Sequence, residues 1–250
     1  MIDLIPLVLP ALCAGMMIVL VHSVLGIEVL KRGIVFMDIA IAQLAGFGFV
    51  LSQSYLGDNY EFSHQLVALS FALLGAVIFR WFEREVPQYV EALIGVSFVF
   101  TASLSLLVLA DNPHGGEEIQ HLLSGHILFV TWQDVLMHAP VYLCIFVLWF
   151  LKNNFRSGLM FYTLFALAVT SSVQLVGVYV VFISLILPAV VLGLTHNNKY
   201  RYAWAYGVIS LFVGIMTSIV CDLPSGSVIV ASYVVLAALW VSINKLMKRV

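Results

Sequence analysis

The chain has 250 residues, 62% of them hydrophobic and only 10% charged, with a formal net charge of −2 and a mean hydropathy of +1.07. So few charges cannot wet the surface of a water-soluble domain, and no nucleic-acid partner is expected. Apolar runs of about 18 to 23 residues recur from end to end, long enough to cross a ~30 Å hydrocarbon layer as helices, and no segment between them could bury a soluble core. The expected fold class is an all-α integral membrane protein, a polytopic bundle of about nine (eight to nine) transmembrane helices, with 1–250 as a single transmembrane domain.

The first run, in MIDLIPLVLPALCAG, carries Asp3 and no Lys or Arg before it, so it lacks the basic start of a cleaved signal peptide and reads as the first span. The eleven Lys and Arg then fall into five clusters: Lys31 and Arg32; Arg80 and Arg84; Lys152 and Arg156; Lys199 and Arg201; and Lys245, Lys248 and Arg249. If positive residues stay on the cytoplasmic side, each interval between clusters must hold an even number of crossings. Each interval holds two candidate helices, and one span precedes the first cluster. The N-terminus is therefore expected outside and the C-terminus inside, with crossings at roughly 4–26, 34–55, 64–82, 89–110, 134–151, 157–175, 177–195, 203–221 and 227–244. The stretch 157–195 is nearly continuous in its apolarity, and parity requires it to turn back, at Ser171, Ser172, Gln174 and Gly177. A tight hairpin and a re-entrant pair both fit.

That topology sends Asp58, Glu61, His64, Asp111, His114, Glu117, Glu118, His121, His126 and Asp222 to the outer face. Imidazole mixed with carboxylate suits first-row divalent metals, and an acidic face concentrates cations, although outer loops are commonly acidic in any case. In PHGGEEIQHLLSGH, His114, Glu117, Glu118 and His121 follow an i, i+3, i+4, i+7 pattern that would put all four on one side of a short helix, a candidate metal-capturing stripe. An interfacial helix resting Leu122, Leu123, Ile127 and Leu128 on lipid explains the same letters.

Inside the spans the informative residue is Asp38, about one turn into the second helix. An ionisable group there costs several kcal/mol unless it faces the bundle interior, water or a partner. It is either a cation ligand on a transport path or a static anchor paired with Lys31 or Arg32. Ala42, Ala45, Gly46 and Gly48 beside it let neighbouring backbones approach, so Asp38 is expected to look inward. His22 in the first span could meet Asp38 or a metal, or could simply be hydrogen-bonded within the bundle. Gln43 lies about 140° from Asp38 on an ideal helix and is expected to bridge helices. Asp38, His22 and Gln43 make up the candidate transport path. Cys13, Cys144 and Cys221 are too scattered for a thiolate metal site. Phosphate-loop, HExxH, GxSxG and CxxC motifs are absent from the sequence, so it is not expected to be an enzyme, and ATP hydrolysis would need a separate subunit.

Five stretches in order resemble the metal-ion permeases of ATP-binding-cassette importers: LGIEVLKRGIVFMDIAIAQLAG, EALIGVSFVFTASLSLLVL, LLSGHILFVTWQD, VQLVGVYVVFISLILPAVVLGL and CDLPSGSVIV. The resemblance implies a permease domain in the cell inner (plasma) membrane. Its cargo would be a zinc, manganese or iron ion, with no covalently bound cofactor. Its partners would be a cytoplasmic ATP-binding subunit, an extracytoplasmic metal-binding protein, a second permease copy and the lipid membrane. It also implies that Asp38 is the transport-path aspartate. Two departures stand beside it: the family's histidine four residues after the aspartate is Ala42 here, and the connection that docks into the ATPase is the seven-residue KNNFRSG. Both keep open an alternative, an ATPase-independent membrane channel or scaffold of the same architecture.

The topology predicts that a membrane-impermeant thiol reagent applied to intact cells labels a cysteine placed at Asn59 or Gly116 and misses one at Asn154 or Asn198. The opposite pattern would overturn it.

Overall fold

The computed structural model describes residues 5–56, 61–110, 123–151, 156–193 and 199–247. Within them lie eight α-helices and no strand: α1 (Ile5–Arg32), α2 (Met37–Leu56), α3 (Glu61–Glu85), α4 (Val90–Val108), α5 (Trp132–Leu151), α6 (Gly158–Gly193), α7 (Lys199–Cys221) and α8 (Ser225–Met247). The all-helical class is as expected from the apolar runs. Seven of the helices are long and apolar enough to cross a membrane, namely all but α2.

The count of nine helices is not met among these residues, because the expected crossings 157–175 and 177–195 form one element. A straight helix of 36 residues would be about 54 Å long, nearly twice the hydrocarbon thickness. It is not straight. Gly177 breaks it with φ 76° and ψ 165°, and the two halves fold toward each other there. The proof is a single imidazole. Ser172 and Ser184 would be about 18 Å apart along a straight helix, yet the ring of His22 reaches both at 2.8 Å.

The break is packed backbone to backbone. Gly125, φ 59°, lies so close that a Cβ built on it would stand 2.2 Å from the Val176 carbonyl group, and a Cβ on Gly226 would stand 1.9 Å from the Ser124 carbonyl oxygen. The Ser124–Gly125 strand of chain is thus wedged between the elbow of α6 and the first turn of α8, with no side chain at the three points of contact.

Packing sorts the helices into an interior and a wall. α1 and α6 pack on one another and on α7, while α2 is enclosed by α3, α4 and α6. Between Met37 and Tyr55 only Ser54 and Tyr55 are exposed. The wall helices turn large apolar groups outward, such as Val96, Val99, Phe100, Leu106 and Leu107 on α4 and Leu136, Leu143 and Leu151 on α5. α7 and α8 are joined by a reciprocal pair: the Tyr206 hydroxyl donates to the Tyr233 carbonyl oxygen, and the Tyr233 hydroxyl donates to the Gly207 carbonyl oxygen at 3.1 Å.

Gly125→Ala is expected to lower thermal stability strongly. The left-handed backbone costs a side chain about 1–2 kcal/mol, and overpacking against Val176 adds about 1–3 kcal/mol. Gly95→Ala, whose Cβ would meet nothing within 4 Å inside α4, is the control and should leave the melting temperature unchanged or slightly raised.

Candidate functional site

Asp38 is placed by the turn that joins α1 to α2. Helix α1 runs six residues past the expected end at 26 and closes on Gly33, φ 68°. The Ile34 N–H donates to the Val29 carbonyl at 3.4 Å and the Gly33 N–H to the Leu30 carbonyl at 3.3 Å, the paired bonds of a glycine helix stop. Val29 and Ile34 are both fully buried beneath it. The next turn starts α2, and the Phe36 N–H is held by the Glu91 carboxylate at 3.1 Å.

The Asp38 side chain is fully buried in the first turn of α2. Neither carboxylate oxygen has a hydrogen-bond partner among the described residues. The anchor reading required Lys31 or Arg32, and both are engaged elsewhere. Lys31 pairs with Glu28 at 3.3 Å. Arg32 reaches Glu28 at 3.4 Å and Glu83 at 3.1 Å, donates to the Arg156 carbonyl at 2.8 Å, and lies 4.3 Å from the Phe161 ring centroid. What favours negative charge at Asp38 is the start of the helix itself, whose dipole presents its positive end there.

One turn along the same face from Asp38, at Ala42, a partly open cleft begins. It is small, with room for about one water molecule, and is lined by Ala42, Gln43 and Gly46 of α2, Ser105 of α4, and Val173 and Val178 on either side of the α6 break. Gln43 does bridge helices: its amide donates to the Ser105 hydroxyl, at the long limit of 3.5 Å. Its polar end therefore meets the cleft between α2 and α4.

His22 does not meet Asp38 by hydrogen bond. It is fully buried, with Nδ1 at 2.8 Å from Ser184 Oγ and Nε2 at 2.8 Å from Ser172 Oγ. Ser172 also meets the Tyr142 hydroxyl at 2.7 Å, and one residue away Ser171 meets His138 Nδ1 at 2.7 Å. Reasoning from the sequence missed this chain of hydroxyls, whose one local signal was the pair Ser171–Ser172 inside an apolar run. His64, which the expected topology puts on the outer side, is buried within the bundle, with Nδ1 at 2.9 Å from Ser52 Oγ and its ring edge-on to Phe49. The stripe of His114, Glu117, Glu118 and His121 lies outside the described residues. Among the described residues no cluster of three or more His, Cys, Asp or Glu could hold a metal ion.

The arrangement defines a multi-pass helical membrane protein with a carboxylate buried inside the bundle and, among the described residues, no cation beside it. The chain belongs to the ABC 3 transport family, whose profile matches residues 5–157 and 152–244. A manganese transport system membrane protein, MntC, of Halalkalibacterium halodurans is 22% identical over 88% of this chain and 81% of its own length. A probable metal transport system membrane protein of Chlamydia trachomatis is 25% identical over 90% and 84%. Among solved structures, PsaBC from Streptococcus pneumoniae, in complex with Fab, superposes with a TM-score of 0.76 at 19% identity, covering 94% of this chain and 90% of that one. This last likeness shows the fold.

Because no cation pairs with Asp38 among the described residues, Asp38→Asn is expected to leave the melting temperature of the purified protein unchanged or raised. Removing one member of a buried ion pair would instead cost about 3–5 kcal/mol, and a marked fall in melting temperature would reveal such a partner.

Proposed function

We propose that the chain is the permease subunit of an ATP-binding-cassette importer for divalent metal ions, with zinc, manganese and iron as the candidate cargoes. The observation that carries this reading is Asp38, a fully buried carboxylate without a hydrogen-bond partner among the described residues, on a helix packed against α3, α4 and α6, in a member of a transport family. A carboxylate in low dielectric attracts a divalent ion strongly, and the ion supplies the counter-charge that the protein withholds. The relatives named for metal and manganese transport support a metal cargo.

In this reading the permease domain spans 1–250 and crosses the membrane nine times, counting α2 and both halves of α6 with the other six long apolar helices. The N-terminus is outside and the C-terminus cytoplasmic. Two copies form the path, and alternating access exposes Asp38 first outward and then inward. A cytoplasmic ATP-binding subunit drives the cycle, and an outer metal-binding protein delivers the ion. Gln43 and the cleft beside Ala42 form the approach to Asp38, and the stripe from His114 to His121 acts as outer capture. The donors near the path are oxygen and amide groups, because Ala42 offers none of its own.

Asp38→Asn keeps the size and one acceptor oxygen but removes the charge. In cells that carry the partner subunits, this variant should be present at normal levels and lose uptake of radiolabelled manganese, zinc or iron by on the order of tenfold or more. Ala42→His, one helical turn away, should strengthen metal binding. Normal uptake by a well-expressed Asp38→Asn protein would return Asp38 to a structural role, and failure to co-purify with any ATPase would favour the channel or scaffold.

A further inference from the structure

We propose that His22 is a positioning residue of the transport path, holding the two halves of α6 at the Gly177 break and so setting the wall of the cleft beside Ala42. The proposal rests on the transport reading above. Three observations carry it. Both ring nitrogens are used, one on each side of the break: Nε2 on Ser172, five residues before Gly177, and Nδ1 on Ser184, seven residues after it. The ring is fully buried, so water cannot replace either bond. Val173 and Val178, which flank the break, are also cleft-lining residues. A change in the angle between the halves therefore changes the cleft directly.

The protons make the latch two-sided. Ser172 Oγ lies 2.8 Å from the Ala168 carbonyl oxygen of its own helical turn, and Ser184 Oγ lies 3.0 Å from the Val181 carbonyl oxygen. Each hydroxyl has one proton, and a neutral imidazole has one N–H. With the proton on Nε2, the ring donates to Ser172, which keeps its bond to Ala168, while Ser184 must turn its proton to Nδ1 and release Val181. With the proton on Nδ1 the roles reverse: Ser184 stays on Val181, and Ser172 releases Ala168 to donate to Nε2. Only one half of α6 at a time has its serine tied to its own backbone. The other gives its proton to the ring and leaves its own carbonyl. Tyr142 adds a hydroxyl from α5 to the Ser172 side, so the first half of α6 is fastened to two helices and the second half to one.

The assignment makes His22 a hinge fastener, whereas a metal ligand would need a free ring nitrogen, and the two roles separate by experiment. Spin labels are placed at Met160 and Val190, exposed positions on opposite halves of α6, after Cys13→Ala, Cys144→Ser and Cys221→Ser. In the intact permease their distance distribution should be narrow. His22→Leu, which fills the space and removes both bonds, should broaden or shift it. His22→Gln, with one donor and one acceptor on a flexible chain, should restore it in part. Manganese affinity, measured by the loss of the free-ion spin signal, should stay within about twofold for both variants, while transport turnover with the partner subunits falls by about tenfold or more in His22→Leu. An unchanged distance distribution in His22→Leu would overturn the proposal, and so would a tenfold loss of manganese affinity at unchanged distance. If His22→Leu does not accumulate, Ser184→Ala removes the same bond from the other side and is read by the same two measurements. A wild-type protein that binds no divalent cation would sink the transport reading, while the label distances would still decide the latch.

Discussion

A carboxylate buried away from water without a counter-charge costs several kcal/mol wherever it is put, and much of this molecule is arranged so that the cost falls on one enclosed helix. Helix α2 carries Asp38, Gln43, Ser52, Gln53 and Ser54, and α3, α4 and α6 pack around it. Small residues let the enclosing helices approach: Ala40, Ala42 and Ala45 are almost wholly buried, and the Gly48 backbone rests against Ala68 and Phe71 of α3. The hydrophobicity needed to stay in a membrane is displaced outward onto α3, α4 and α5, whose exposed faces carry the large apolar side chains. The start of α2 and its dipole are the compensation left for charge at Asp38.

The same turn that presents Asp38 is held by charges that do find partners. Arg32 uses its planar fork on Glu28, Glu83 and the Arg156 carbonyl while stacking on Phe161, a geometry that a point charge such as Lys could not reproduce. Arg80 shares Glu83 at 2.6 Å, and Arg156 in turn donates to the Trp149 carbonyl at 3.0 Å. Ends of α1, α3 and α5 are thereby tied together a few residues from a carboxylate that receives none of these cations. Pairing and isolation lie side by side.

Much of this was legible in the residues, and what was not has identifiable causes. Asp38 stood out because hydrophilicity inside an apolar run has so few explanations, and the small residues after it correctly announced a packed face. A turn in this run was legible because a run of that length cannot cross once, and of the four residues expected to make it Gly177 does while Ser171, Ser172 and Gln174 stay helical. Its fusion with its neighbours into one broken helix was not, since the break depends on Ser124 and Gly125, far away in the chain. Helix α1 outran its apolar segment because Glu28, Lys31 and Arg32 pair along the helix and across to α3, support that hydropathy does not register. The partners of His22 lie 150 and 162 residues away, beyond any local pattern. His64 was placed by the expected topology on the outer side, and no local pattern told that Ser52 and Phe49 make a buried seat for it.

The reciprocal tyrosines of α7 and α8 limit which movements this architecture can make. Each hydroxyl is bound to a main-chain carbonyl of the opposite helix, so sliding one helix along the other by a turn would strand both buried hydroxyls at once. The loss would be about 1–3 kcal/mol for each unsatisfied group. A rotation of the two helices together strands neither. Helices α7 and α8 are therefore locked against sliding past one another, and any rearrangement that keeps both hydroxyls satisfied has to carry the pair together.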